Sequence, residues 1–209
     1  MNNFETFDNL FQLFSLIMMM IIAAISGLGM KSRKLVVLAC GYGSFILGLL
    51  FYMLHLAILG DIPRVFYVSE VSWMAGYLFY LFLVTLRKEG ETPVFEVLPA
   101  VFAVLTAAAA VYNDVMGGSI LMSLSFGVVA GCIVYISVSG LLRAKEAGEN
   151  PAPFDIAMVA VVVLQNMVYF ISGYIVDYTR FNLYFAADIL LTLSMCSLFW
   201  FIRKEVRTK

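Results

Sequence analysis

The chain has one histidine, His55, in 209 residues. A zinc hydrolase built on several histidine ligands is therefore excluded, and any histidine general base has to be His55. Charge is also scarce. Charged residues make up 13% of the chain, against about a quarter in an average soluble protein. The 13 basic and 14 acidic residues cannot cover the surface of a soluble domain of this length. That excludes an ordinary cytosolic enzyme, a disordered tail and a nucleic-acid binder. The three cysteines form no CxxC motif. Cys40, Cys132 and Cys196 all fall in apolar runs, where they read as small buried residues and not as a disulfide framework. No glycine-rich phosphate loop and no GxSxG turn occurs.

What is abundant is apolar sequence, at 63% of residues. A membrane helix needs about 20 predominantly apolar residues. Seven such spans are predicted: Leu10–Met30, Leu35–Leu59, Val65–Leu86, Phe95–Tyr112, Ser119–Leu142, Asp155–Val176 and Leu183–Ile202. The breaks between them are short, so residues 1–209 read as one all-α membrane domain. Barrel strands would be about ten residues of alternating polarity. The runs here are about twice that and do not alternate.

The basic residues set an orientation. Lys31, Arg33, Lys34, Arg87, Lys88, Arg143, Lys145, Arg203, Lys204, Arg207 and Lys209 all fall on one side, whereas only Arg64 and Arg180 fall on the other. This places the N-terminus outside and the C-terminus in the cytoplasm, as for a protein of the plasma membrane (the inner membrane of a bacterium). The N-terminal tail carries Glu5 and Asp8 but no basic residue, so the first span reads as retained and not as a cleaved signal.

The chain also resembles itself. With Arg64 set over Arg180, Asp61 falls on Asp177 and Arg87–Glu89 falls on Arg203–Glu205. This predicts a duplicated three-helix unit, residues 10–86 and 119–202, with residues 95–112 as a linker helix. An odd number of intervening spans makes the two units parallel. Gly127 and Gly131 in span five, Ser44 and Gly48 in span two, and the Thr106–Ala110 run in span four read as helix-packing devices.

Three ionisable groups lie well inside spans: His55, Glu70 and Asp188. Such groups are costly in a bilayer and mark candidate sites. Counted from the nearest loop, all three sit roughly 9–12 Å deep, in one layer. Polar and aromatic residues recur at helical spacing beside them. Tyr52 shares a stripe with His55, Trp73 and Tyr77 follow Glu70, Thr192 follows Asp188, and Asn166 and Tyr169 form a shorter seam on span six. Glu96 and Asp155 sit at helix starts, where they are expected near water. No Lys or Arg lies inside a span, so the carboxyl groups call for a proton, an amine-bearing ligand or a metal cation. The aromatic lining suits a cationic head group.

Phe66–Lys88 and the terminal FWFIRKEVRTK resemble bacterial seven-helix sensory input domains, which pass a signal to a cytoplasmic output domain or partner. The three-plus-one-plus-three arrangement resembles small transporters of the SWEET type, without a Pro-Gln pair. The likeness to opsins is in helix count and orientation, since span seven has no central lysine for a Schiff base. Together these lead to a receptor-like or sensor domain binding a small polar or cationic solute at His55, Glu70, Asp188, Trp73, Tyr77, Tyr52, Asn166, Tyr169 and Thr192. A transporter using the same pocket is the alternative, and an intramembrane hydrolase working through His55 is the third reading. No resident cofactor or metal is expected, and the surroundings are membrane lipids.

Overall fold

The structure, a computed structural model, describes residues 3–60, 68–90, 95–115, 120–175 and 177–208. Asp61 and Arg64, used in the repeat, and the span ends Val65, Ser119 and Val176 lie outside the described residues. Among the described residues all regular structure is helical, in seven elements: α1 Asn3–Gly29, α2 Arg33–Leu59, α3 Val68–Arg87, α4 Val97–Val115, α5 Ile120–Glu146, α6 Pro153–Ser172 and α7 Leu183–Arg207. Six of them are long and apolar enough to cross a membrane. The seventh, α4, is apolar over the shorter stretch Val97–Asn113. The protein is membrane-embedded.

The helix ends follow ordinary chemistry. Gly60 closes α2 with a left-handed φ of 76°. Pro153 opens α6, where a missing N–H costs nothing. The Asn182 side chain caps α7 by accepting from the N–H of Tyr184 and Phe185. Pro99 falls in the first turn of α4, which tolerates it for the same reason as Pro153.

The surface pattern is that of a protein solvated by lipid. On α1, Phe14, Met18, Ile21, Ile25 and Leu28 are exposed at alternating steps of four and three, while Leu13, Leu16 and Ala23 are buried. A soluble monomer rarely carries an apolar patch of that extent. Cys40 and Cys132 belong to this outer surface and Cys196 is half-buried. The expectation that all three are buried is corrected: a thiol is apolar enough to face lipid as well as core.

Six helices close into a ring in the order α1, α2, α3, α5, α6, α7, with α7 returning to α1, and α4 lies outside it against α5 and α6. The α4–α5 contact is close because Gly127 and Gly131 let the backbones approach. A methyl group on either would sit 3.0 Å from the carbonyl oxygen of Ala107 or Ala103. Gly48 does the same between α2 and α3, where a methyl would lie 2.6 Å from Trp73 Nε1.

At the end of the bundle where α1 finishes, charges clamp three helices. Arg87, at the end of α3, pairs with Asp155 of α6 and in bidentate fashion with Glu205 of α7. Its guanidinium also lies 4.1 Å from the Phe154 ring centre. Asp155 is 1% exposed, so the expectation that it stays near water is corrected: the ion pair replaces hydration. Gly140 of α5 makes the room. A methyl there would sit 2.8 Å from Asp155 Oδ2 and 2.9 Å from Lys88 Nζ. Glu96 is likewise paired, 2.6 Å from Arg143.

Removing one partner of a buried pair strands the other charge. Arg87→Met is expected to lower unfolding stability by about 3–5 kcal/mol, read by thermal unfolding in detergent. An unchanged midpoint would contradict the clamp.

Candidate functional site

The opposite end of the bundle holds the polar layer. It is organised by α1 and α7, which start together there. Asp8 and Gln12 are one helical turn apart and share a face of α1. The Asn182 cap fixes where α7 begins, and this puts Tyr184, Asp188, Leu191 and Met195 on one inward face.

Between the two helices, Gln12 Nε2 donates to Asp188 Oδ1 at 3.4 Å and to Thr192 Oγ1 at 3.2 Å. Asp8 of α1 lies beside Asp188 of α7 where the two helices meet. Both carboxyl groups are buried, at 3% and 7% exposure.

Gln12 and Asp188 border a cavity of about 160 Å³, with Asp8 and Thr192 beside them. Asn9 and Gln12 line it from α1, Tyr52 from α2 and Trp73 from α3. Gln165, Tyr169 and Ser172 line it from α6, and Tyr184 and Asp188 from α7. Tyr77 fixes Gln165 from behind, its hydroxyl donating to Oε1 at 3.0 Å. The Tyr52 and Trp73 rings stand 6.2 Å apart. Among the described residues no Lys or Arg lines the cavity, and no group of three potential metal ligands occurs. Phe45, Leu49, Val168, Leu191 and Met195 make an apolar part of the wall, and the amide, phenol, indole, hydroxyl and carboxyl groups of the rest can hydrogen-bond a neutral polar solute or face a cation.

The turn from α6 to α7 is tied to the same place. Tyr178 donates from its hydroxyl to the carbonyl of Ser172 and packs 5.3 Å from the Tyr184 ring. Burial pushes its phenol pKa up. Hydrogen bonds from Thr179 hold the neighbouring, exposed Asp177 carboxyl below its usual range.

Of the nine residues expected at the site, Tyr52, Trp73, Tyr169 and Asp188 line the cavity, and Tyr77 and Thr192 support its wall. Asn166 does not line the cavity: its side-chain amide N–H donates to the Val162 carbonyl of its own helix, and its backbone carbonyl accepts from the Asn113 side chain of α4. His55 packs beside Phe51, with ring centres 5.9 Å apart, and Glu70 is half-buried at the start of α3. Neither lines the cavity.

The α1 contribution is absent from the sequence-based site. Starting the first span at Leu10 leaves Asp8 in a tail, whereas the helix starts at Asn3. The available signal is the four-residue spacing of Asp8 and Gln12, continued by Ser15, directly before an apolar run. No protein-family model matches the chain, and no curated protein or solved structure is similar to it.

Gln12→Leu removes the amide that serves both Asp188 and Thr192. The expected cost is about 1–3 kcal/mol for leaving buried acceptors unserved, measured as a lower unfolding midpoint. A midpoint equal to that of the parent would show that the bridge carries no stability.

Proposed function

We propose that the protein is a receptor-like membrane domain that takes a small polar or cationic solute into the cavity between α1, α2, α3, α6 and α7. The carrying observation is the cavity itself, where the buried Asp188 carboxyl, with Asp8 beside it, meets aromatic walls and no Lys or Arg is among the described lining residues. In this reading seven helices span the plasma membrane with the N-terminus outside, so the cavity opens outward. The eleven-to-two split of basic residues supports that orientation.

Helix α7 supplies the path for a signal. It carries Asp188 at the cavity and Glu205 at the Arg87 clamp, about 25 Å apart along one rigid element. A ligand that moves α7 at Asp188 strains the Glu205 contact and reaches whatever partner meets the cytoplasmic end.

A transporter is the second reading. The same clamp would close the cytoplasmic end while the cavity stays open outside. The sequence correspondence of residues 10–86 with 119–202 favours it, because a parallel duplication would make α1–α3 and α5–α7 equivalent units with α4 as linker. The hydrolase reading has less in its favour, because His55 does not line the cavity.

Thermal-shift screening of the purified full chain against amines, sugars and divalent metals tests the site. The expected result is stabilisation by an amine or polar solute that Asp188→Asn and Trp73→Leu each weaken at least tenfold. Equal responses in parent and variants would overturn the assignment. Uptake of the same solute into proteoliposomes, driven by a gradient, would favour the transporter.

A further inference from the structure

A second concavity lies on the outside of the bundle, at the end where α1 finishes. It has a volume of about 430 Å³ and is lined by Gly27, Leu28, Lys31, Arg33, Val36 and Phe82 among others. Next to it runs an apolar groove of about 480 Å³ along α1 and α2, from Met20 and Gly43 to Leu28 and Val36. Leu28 and Val36 belong to both, so the two adjoin on the lipid-facing surface.

The surface they form is polar at one end only. Lys31 and Arg33 are both exposed at its rim, and no acidic residue lines either part. The first turn of α2 opens at the same place, and the Ser32 hydroxyl makes no capping hydrogen bond to it. The N-terminal end of the helix dipole adds positive partial charge beside the two side chains. Lys31 is the one non-glycine residue with a positive φ among the described residues, at 49°. Side chains seldom adopt that conformation, and here it lies at the rim of the groove.

From Lys31 back to Met20 is eleven residues, or about 16 Å of helix. That is roughly half of the 30 Å hydrocarbon core of a bilayer, one leaflet deep. A cationic rim and an apolar groove one leaflet deep match a phospholipid with an anionic head group, its phosphate at Lys31, Ser32 and Arg33 and an acyl chain along α1 and α2. We propose that this groove is a binding site for one anionic phospholipid. Its chemistry is separate from that of the cavity at Asp188, and the test below does not depend on the orientation of the protein.

The test uses the purified full chain in detergent, with phosphatidylglycerol, phosphatidylcholine and inorganic phosphate as probes, read by native mass spectrometry and thermal shift. Phosphatidylglycerol is expected to stay bound as a single copy and to raise the midpoint. Phosphatidylcholine is expected to bind at least tenfold more weakly, and inorganic phosphate to give no shift. Lys31→Gln with Arg33→Gln should abolish the preference while the protein stays folded. Ala24→Trp, which fills the groove and leaves the basic rim intact, should lower retention of both lipids. Three results would each overturn the proposal: equal binding of the two lipids, a preference that survives the double substitution, or a second copy of the chain covering the groove.

Discussion

A polar group inside a bilayer has no water to turn to, so it must find its partner within the bundle. That constraint organises both ends of this protein. At one end Gln12 serves Asp188 and Thr192 together and thereby joins the first helix to the last. At the other, Arg87 gathers Asp155 and Glu205 and thereby joins α3, α6 and α7. The middle of the bundle is held by apolar packing and by close approach at glycine, as where Gly48 meets Trp73 and where Gly127 and Gly131 meet α4.

The two polar clusters differ in a way that bears on function. The Arg87 cluster is close to charge balance, with two carboxylates facing a guanidinium and the Lys88 ammonium, and little space remains around it. It reads as structure. The Asp8–Asp188 cluster reaches, through Asp188, an open cavity of about 160 Å³ whose described lining residues include no Lys or Arg. A site that lacks a positive partner and leaves room for one is where a ligand can change the energy of the bundle. Helix α7 belongs to both clusters, and in the proposed receptor it is the element that carries a change from the first to the second.

The helical fold was legible because apolar length is a strong signal in a membrane protein. Six helices agree with predicted spans to within a few residues at most described ends. The largest discrepancy is the start of α1, which runs seven residues earlier than Leu10. That discrepancy hid half of the site: Asp8 counts as a tail residue by hydropathy, and only the proximity of Asp188 shows why it is buried. Asp188 itself, Trp73 and Tyr52 were legible from depth and helical spacing. His55 and Glu70 share the depth but lie away from the cavity, since depth alone does not fix which way a side chain points around its helix. The reach of Arg87 to Asp155 depends on the packing of α3 near α6 and on the space left by Gly140, and no local pattern encodes either.

The central claim is that the carboxyl-lined cavity is reached from outside the cell. It is tested most directly by thiol accessibility in a variant with Cys40, Cys132 and Cys196 replaced and Ser172→Cys placed on the cavity wall. A membrane-impermeant thiol reagent added to whole cells should label this cysteine, and a bound ligand should protect it. The same reagent supplied only from the cytoplasmic side of inverted vesicles should not. Labelling from the cytoplasmic side alone, or labelling that no ligand slows, would contradict the account.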